Sequence, residues 1–349
     1  MPVERILRFV ADPSSEPFDE LVREAFAFQL ERLAPLRRLA ERRGLRPGDL
    51  ASWRDVPMVP ATAFRTVELA AAPAVETFRS SGTTEGPRSV HHHPYPALYR
   101  AVIDATFPAA VLGGLERPPM LSLIPDRGQA PDSSLAFLAA HAMERWGDAA
   151  SIVACGPRGV AAPALRGFLA ARQRDRRPTV LLATSFALVH MLEALERLDL
   201  RFRLPAGSRV FETGGTKGRS RELTRAELLA GLAARLDVGA AQIVREYGMT
   251  ELTSHFYGGH FYGGEAGDET FRPPAWVRVR ILDPSTLEEL APGETGLLAV
   301  FDLANVGSAL HLLTEDLAEA AEGGFRLRGR AAGAQLRGCS LAAEELAGV

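Results

Sequence analysis

Lysine and cysteine are the two residue types that this sequence almost lacks. Lys217 is the only lysine in 349 residues, so 39 of the 40 cationic side chains are arginine. Two cysteines, Cys155 and Cys339, are too few for a disulfide framework. The N-terminal segment has no apolar signal core, and together these features lead us to expect a reducing, cytoplasmic location.

Long hydrophobic runs and a strong charge of one sign are missing as well. The longest apolar run, residues 179–192, is too short and too polar to span a bilayer, so we expect no membrane partner. The formal net charge of −3 argues against a broad nucleic-acid-binding surface. With 46% hydrophobic and 24% charged residues, the composition is that of a soluble globular protein.

The hydrophobic pattern predicts an α/β fold. Residues 17–44 favour a helix or helix pair, because Pro17 suits a first helical turn and Gly44 suits a helix end. From about residue 75, short Val-, Ile- and Leu-rich runs alternate with helical patterns, which predicts mostly parallel sheets flanked by helices. The predicted strands lie near 75–79, 119–125, 150–155, 179–184, 208–212 and 242–247, and the helices near 95–111, 132–146, 160–173, 185–198 and 219–236.

The pattern changes after about residue 270. Three short runs, AWVRVRILDP, TGLLAVFDL and GGFRLRGR, are separated by turn-forming residues and favour antiparallel strands. We therefore predict an α/β body over residues 1–270 and a small β-rich subdomain over residues 271–349.

Three segments combine glycine with hydroxyl or charged side chains. RSSGTTEGPRS (residues 79–89) follows a predicted strand, and its N–H and hydroxyl donors can surround phosphate oxygens, although a solvated hairpin loop fits equally well. FETGGTKGRS (residues 211–220) links a strand to a helix, at the sheet edge where ligands bind. Lys217 there is either a compact cation facing a ligand or an incidental residue of a surface turn.

The third segment is VREYGMTEL (residues 244–252). It places an aromatic ring, a hydroxyl and a carboxylate within one turn of chain: Tyr247, Thr250 and Glu251. Tyrosine can stack on a purine, threonine can bind phosphate and glutamate can hold Mg²⁺. Each residue alone also fits a core tyrosine, a cap and a solvated acid, so the combination is the specific signal.

In this order, SSGTTEGPRS, GGTKG and YGMTE resemble the motifs of the adenylate-forming superfamily of acyl-CoA ligases, adenylation domains and luciferases. The short acyl-protein synthetases of bacterial bioluminescence, the LuxE-like group, are the most similar, with a Gly-Gly-x-Lys-Gly turn and a cysteine near the carboxyl end. The resemblance runs from about residue 55 to the end of the chain. It implies the fold of the large N-terminal domain of these enzymes.

The resemblance implies an ATP site with Mg²⁺. Phosphate contacts would come from the first segment: Ser80, Ser81, Gly82, Thr83 and Thr84. Adenine contacts would come from the other two: Gly214, Gly215, Tyr247 and Gly248. Thr250 would touch the α-phosphate and Glu251 would ligate Mg²⁺, while the ribose would lie near Asp316 and Arg330.

The histidine run that follows the phosphate loop matches a segment beside the acyl pocket of the superfamily. His92 or His93 would take part there, and residues 95–111, 185–198 and 253–262 would line the pocket. An exposed strand is the alternative. A zinc site, and with it a metal hydrolase, is less favoured because these histidines with His255 and His260 lack a recognised ligand spacing.

The sequence also departs from the superfamily pattern. Glu85 is inserted in the phosphate loop, Arg88 replaces a lysine, Glu315 replaces a glycine, and Gly333 or its neighbour stands where the hinge has an aspartate. The chain ends about where a mobile C-terminal domain of roughly a hundred residues, a typical small-domain size, would begin. We therefore expect that domain, and the catalytic lysine it carries, to be missing.

These features predict ATP-dependent activation of a small carboxylic acid, fatty or aryl, to an acyl-adenylate. Adenylation joins two anions, so Lys217 is the candidate cation in place of the missing lysine. Cys339, with Arg337 nearby, is the candidate acyl acceptor, although a buried structural cysteine is the alternative. The acceptor could equally be a partner protein, a carrier or CoA. A degenerate member that binds nucleotide or acyl-adenylate without turnover is the alternative function.

Overall fold

The computed structural model describes residues 1–81, 87–156, 159–214, 224–259 and 268–331, together with Leu346. Several predicted site residues lie outside these described residues: Gly82, Thr83, Thr84, Gly215, Lys217, His260 and Cys339. Contacts between residues divide the chain into two compact units. The first unit comprises Met1–Ala105, Met249–Phe256 and Thr270–Val349, and the second comprises Thr106–Gly248 and Tyr257–Glu269.

The second unit contains a six-stranded sheet with the strand order β11-β10-β9-β8-β4-β5. The pairs β4–β5, β4–β8, β8–β9 and β9–β10 are parallel. Strands and helices alternate as predicted, and the first four residues of the central strand β8 are all buried. The strands are β4 (Met120–Ser122), β5 (Ile152–Val153), β8 (Val180–Thr184), β9 (Arg209–Thr213), β10 (Ile243–Tyr247) and β11 (Phe256–Gly258), and a short pair is formed by β6 (Cys155–Gly156) and β7 (Gly159–Val160).

The helices of the second unit begin where local signals favour them. Helix α7 starts directly after β8, because the Thr184 hydroxyl accepts a hydrogen bond from the backbone N–H of Ala187. Helix α8 starts with a capping box between Thr224 and Glu227. The helices are α5 (Ser134–Trp146), α6 (Ala162–Asp175), α7 (Ser185–Arg197) and α8 (Arg225–Leu236).

The first unit contains N-terminal helices, a hairpin and a mixed sheet. The sheet has the order β1-β14-β13-β12, with β15 paired to β14; β1 runs parallel to β14 and the other pairs are antiparallel. The helices of the first unit are α1 (Pro2–Ala11), α2 (Phe18–Arg32), α3 (Ala34–Arg42) and α4 (Pro96–Phe107), the last of which continues in sequence into the second unit. Its strands are β1 (Val59–Pro60), β2 (Glu76–Arg79), β3 (Val90–His93), β12 (Val277–Leu282), β13 (Thr295–Asp302), β14 (His311–Ala321) and β15 (Gly324–Arg330).

Two features of the first unit differ from the sequence pattern. Strand β2, predicted as the first strand of the alternating region, pairs with β3 as an antiparallel hairpin. Strand β14 was not predicted, because its Ala-, Glu- and Leu-rich sequence suits a helix better than a strand, and pairing on both sides overrides that preference. The three predicted antiparallel strands after residue 270 are present as β12, β13 and β15, whereas the division into domains at residue 270 stays a prediction.

Across the described residues, no helix combines the length and the apolar character that crossing a membrane would require.

Candidate functional site

Glu251 is a buried carboxylate in the first unit, with an exposed fraction of only 6%. Burial raises its pKa, while a hydrogen bond from the Ser89 hydroxyl and the charges of Arg330 and Arg65 act in the opposite direction. A carboxylate removed from water is costly to ionise unless cations approach it. The surroundings of Glu251 therefore combine a low-dielectric site with positive charge.

Asn305 holds the backbone at Glu251. This asparagine ends the short turn Leu303–Asn305 that follows β13, and its Nδ2 donates to the carbonyl oxygens of Glu251 at 3.0 Å and Ala309 at 2.8 Å. Its Oδ1 accepts a hydrogen bond of 2.8 Å from the hydroxyl of Thr253. Every one of these atoms belongs to the first unit, and Asn305 is 1% exposed.

Asp302 binds the next residues of the same loop. Its carboxylate accepts hydrogen bonds from the backbone N–H groups of Thr253 at 3.1 Å and Ser254 at 2.8 Å, and from the Ser254 hydroxyl at 2.8 Å. The backbone N–H of Ala304 donates to it at 3.1 Å. Burial raises the pKa of Asp302 to about 6, although these hydrogen bonds favour the ionised form. The loop after Glu251 is thus attached to the end of β13 at consecutive residues.

Strand β3 supplies two histidines to the same loop. Nδ1 of His91 donates to the carbonyl oxygen of Thr250 at 2.8 Å, because a carbonyl can only accept. Nε2 of His93 lies 3.1 Å from the Thr253 hydroxyl, and it is the donor because that hydroxyl gives its proton to Asn305. His92 lies on the other, partly exposed face of the strand.

Both inward histidines are neutral near pH 7. Burial lowers the pKa of His91 to about 4, and it lowers the pKa of His93 well below the usual value. Of the two predicted histidines, only His93 contacts the loop, and sequence reasoning missed His91. The signal was available, since residues two apart on a strand share a face.

An aromatic cluster surrounds these histidines. The ring centroid of His93 lies 6.0 Å from that of Phe78 and 5.8 Å from that of Tyr99, and the Tyr99 ring lies 5.2 Å from that of His255. Tyr99 and His255 come from two of the three segments predicted to line an acyl pocket. The structure brings these two segments together in the first unit, and their contact with an acyl group stays a prediction.

The ends of the predicted phosphate loop are joined at its base. The backbone N–H of Ser80 donates to the carbonyl of Ser89 at 3.0 Å, and the backbone N–H of Ser89 donates to the Ser80 hydroxyl at 3.0 Å. The Arg88 guanidinium also donates to the Ser80 carbonyl. The Ser80 hydroxyl therefore closes the loop, Ser81 is exposed, and their contacts with phosphate stay a prediction.

The two residues predicted to lie near the ribose are neighbours. Nε of Arg330 donates to Oδ1 of Asp316 at 3.1 Å. Glu315, which stands where the superfamily has glycine, accepts from Arg65 at 3.1 Å and lies 3.7 Å from Arg330. The glutamate at this position, where the superfamily has glycine, therefore has a physical role: Glu315 pairs with two arginines, and the charges of both act on Glu251.

In the second unit, Gly214 directly follows β9, and Tyr247 is the last residue of β10. The Ser185 hydroxyl lies 2.9 Å from a carboxylate oxygen of Glu212 and 2.8 Å from the Gly214 carbonyl. Gly214 has φ +76°, a conformation that a residue with a side chain rarely adopts. Tyr247 ends β10 and is 8% exposed. Both residues thus occupy a sheet edge of the kind where α/β proteins bind ligands.

A magnesium ion fits the oxygen chemistry around Glu251. Mg²⁺ is commonly held by one or two carboxylates together with substrate phosphates. Glu251 supplies such a carboxylate, and its burial disfavours the ionised form unless a cation is close. Within the described ranges, no group of three or more His, Cys, Asp or Glu side chains is arranged to hold a metal ion by itself.

Cys155 differs from a reactive thiol. It is half-buried at the start of β6, and burial together with the nearby Asp126 raises the pKa of its thiol. A raised pKa keeps the thiol protonated and poorly nucleophilic.

Solved structures with this fold are adenylate-forming enzymes. A 2-hydroxyisobutyryl-CoA ligase in complex with 2-HIB-AMP and CoA has a TM-score of 0.63 and 15% identity, over 89% of this chain and 74% of that one. McyG A-PCP complexed with phenylalanyl-adenylate has a TM-score of 0.50 and 17% identity, over 86% of this chain and 48% of that one. The chain thus has the adenylate-forming fold, as the motifs predicted.

The family follows from the sequence. The model of the acyl-protein synthetase family, LuxE, matches residues 169–346, which is just over half of the chain. The chain belongs to this family. It is also similar to the long-chain-fatty-acid–luciferin-component ligase of Aliivibrio fischeri, with 22% identity over 147 residues, 42% of this chain. That match spans 37% of the length of the Aliivibrio fischeri protein.

Proposed function

We propose that this protein uses ATP and Mg²⁺ to convert a carboxylic acid to an acyl-adenylate and then passes the acyl group to a thiol. The observation that carries the proposal is Glu251, a buried carboxylate beside Thr250 with Arg65 and Arg330 acting on it. Membership of the acyl-protein synthetase family supports it. The adenylates named in the solved neighbours, 2-HIB-AMP and phenylalanyl-adenylate, are products of the same chemistry.

The residues of the first unit have separate roles in this proposal. Thr250 donates its hydroxyl to the α-phosphate, and Glu251 ligates Mg²⁺, which supplies positive charge to the phosphate oxygens when bound. Asp316 accepts hydrogen bonds from the ribose hydroxyls, and Arg330 lies beside them. The remaining phosphate contacts come from the loop that Ser80 and Ser89 close: Ser81, Gly82, Thr83 and Thr84.

Adenine binds at Gly214, Gly215, Tyr247 and Gly248 in this proposal. Tyr247 offers a flat apolar face for stacking. Gly214 lets the backbone approach the base closely, since no side chain intervenes. In this proposal the neutral, buried His93, with the rings of Phe78 and Tyr99 around it, keeps charge away from the acyl group.

Adenylation brings a carboxylate oxygen to the α-phosphorus, forms the carbon–oxygen–phosphorus link and releases pyrophosphate. Negative charge accumulates in this step, so side-chain cations lower its barrier. Lys217, the one lysine of the sequence, supplies a side-chain ammonium group for this purpose.

In the second step the thiolate of Cys339, or of a partner protein, a carrier or CoA, attacks the acyl carbon. A carbon–sulfur bond forms, the carbon–oxygen bond to phosphate breaks and AMP leaves. The fatty acid named for the Aliivibrio fischeri relative makes long-chain acids the first substrates to try, with aryl acids as the second class.

Exchange of labelled pyrophosphate into ATP across a panel of fatty and aryl acids tests the proposal. Exchange that requires one class of acid and Mg²⁺ is the expected result. Nucleotide binding without exchange for any acid of the panel would instead indicate a carrier or regulator that binds nucleotide or acyl-adenylate. Parallel assays with CoA and with protein acceptors identify the thiol.

A further inference from the structure

The chain from Glu251 to Ser254 is neither helix nor strand, and apart from the N–H of Leu252, which donates to the carbonyl of Met249 at 3.2 Å, its backbone groups need partners outside the loop. Asn305 and Asp302 provide them. Asn305 binds the Glu251 carbonyl at 3.0 Å, and Asp302 binds the N–H groups of Thr253 and Ser254 at 3.1 and 2.8 Å. Two residues on one short turn thus fix three of the four loop residues.

The turn that carries these two residues is itself well fixed. Asp302 is the last residue of β13 and caps the turn through the N–H of Ala304 at 3.1 Å. Asn305 also binds the carbonyl of Ala309 at 2.8 Å, which ties the chain on the far side of the turn. Asp302 and Asn305 are 0% and 1% exposed, so water does not compete for these bonds.

Among these hydrogen bonds from Asn305 and Asp302 to the loop, the one from Asn305 is the bond to Glu251 itself. Both of its amide hydrogens go to carbonyls, and its oxygen accepts from Thr253, which in turn accepts from His93. The position of the Glu251 Cα is therefore determined by a continuous set of hydrogen bonds from β13 to β3. Hydrogen bonds to metal-binding carboxylates orient them and raise the affinity for the metal. The bond from Asn305 goes to the backbone carbonyl of Glu251, so it fixes the chain from which the carboxylate extends.

We propose that Asn305 is a positioning residue for Glu251. Together with Thr253 it holds the Glu251 backbone so that the carboxylate can bind the metal ion of the nucleotide. This inference rests on the proposed function, in which Glu251 ligates Mg²⁺. Asn305 touches neither nucleotide nor acid and acts only through the Glu251 backbone.

Three variants test the role. Asn305→Ala removes the bond to Glu251, Thr253→Val removes the hydroxyl while keeping the shape, and Thr253→Ser keeps the hydroxyl as the matched control. Metal affinity is measured by Mn²⁺ electron paramagnetic resonance with a non-hydrolysable ATP analogue present. The Mg²⁺ dependence of pyrophosphate exchange and the thermal unfolding midpoint are measured alongside.

For Asn305→Ala we expect the Mn²⁺ dissociation constant to rise about tenfold, the lower end of the range for partners of metal ligands. The maximal exchange rate of the folded protein at saturating Mg²⁺ should stay within about twofold, since the chemistry is unchanged once the metal is bound. Thr253→Val should give a smaller rise in the same direction, and Thr253→Ser should match the wild type.

A merely structural role gives a different result, because fewer folded molecules lower the amplitude but leave the dissociation constant unchanged. An unchanged dissociation constant in Asn305→Ala overturns the inference about Asn305. If the wild type exchanges pyrophosphate in the same experiments, the proposed function stands. If Asn305→Ala does not fold, Thr253→Val decides by the same criterion. A wild type that neither binds the metal–nucleotide nor exchanges pyrophosphate overturns the proposed function and this inference together.

Discussion

Nδ1 of His91 donates to the carbonyl oxygen of Thr250 at 2.8 Å, which is one of two hydrogen bonds that join strand β3 to the loop carrying Glu251. The two residues are 159 positions apart in sequence. Because the ring is buried and neutral, this bond holds the loop without placing a charge beside the carboxylate of Glu251. The same strand turns His92 to the opposite face, which provides an internal control.

His91→Phe should destabilise the protein and His92→Phe should not. The first change leaves the partly buried carbonyl of Thr250 without its donor, which costs about 1 kcal/mol, the lower end of the range for a group that loses its partner. His91→Asn, whose amide nitrogen can replace Nδ1, should recover part of that loss. Urea unfolding at pH 7 measures the free energies. Equal effects of His91→Phe and His92→Phe would contradict the assignment of the two faces.

Acid should destabilise the protein partly through His311. Its Nδ1 donates to the carbonyl of Val56 at 2.8 Å, and burial lowers its pKa to about 4 from a usual 6.5. A histidine with a lowered folded-state pKa contributes stability that is present above pH 6.5 and is lost as the pH falls towards 4. Between pH 7 and pH 5 this one group removes about 2 kcal/mol.

Asp302 acts in the opposite direction, because its raised pKa, about 6, adds stability as the pH falls below that value. A variant isolates the histidine. His311→Asn keeps a donor for Val56 but cannot titrate, so its unfolding free energy should fall less between pH 7 and pH 5 than that of the wild type. Urea unfolding at both pH values checks this, and identical losses in both proteins would refute the assignment.

Glu315→Gln should lower the pKa of Glu251. The change removes a negative charge that pairs with Arg65 and Arg330, so both cations act more strongly on the Glu251 carboxylate. The acid limb of the pH profile of pyrophosphate exchange should move to lower pH. Glu319→Gln is the matched control, because Glu319 lies on the same strand and pairs with Arg328 instead. An unchanged acid limb in Glu315→Gln would show that the two arginines do not set this pKa.

The order of strands and helices could be predicted where burial and periodicity agree. The runs at β8, β9 and β10 are short and mostly buried, and they pair as parallel strands. The run at β8 also ends in a helix-start signal, Thr184. Strand β14 could not be predicted in this way, because its sequence, HLLTEDLAEAA, mixes helix-favouring residues with acids. Its pairing with β13 and β15 is a long-range effect that no local pattern contains.

In the candidate site, too, residues within local motifs could be predicted and residues with long-range partners could not. Motif residues such as Glu251 could be found because their order along the chain is specific. Asn305 and Asp302 could not, because neither lies in a motif and each meets its partners about fifty positions away. Asparagine and aspartate are common in turns, so their types carried no signal. Only the folded chain shows that they bind the Glu251 loop.

Lys217→Ala should lower the rate of pyrophosphate exchange about a hundredfold, the usual cost of removing one group that stabilises developing charge. Lys217→Arg keeps the charge but not the compact geometry, so it should recover only part of the rate. The rates are compared at saturating ATP and acid, where a loss of binding alone would not appear. Full activity of Lys217→Ala would exclude this lysine from the chemistry.

Cys339 and Cys155 provide a matched pair of thiols for the transfer step. Incubation with ATP, Mg²⁺ and a labelled acid should leave label on the wild type and on Cys155→Ser, but not on Cys339→Ser. The reason is that burial and Asp126 raise the pKa of Cys155, whereas Arg337 close to Cys339 in sequence favours its thiolate. Release of the label by neutral hydroxylamine identifies a thioester, and mass spectrometry locates it. Label that persists on Cys339→Ser, or a wild type that exchanges pyrophosphate without becoming labelled, would assign the acyl acceptor to another thiol.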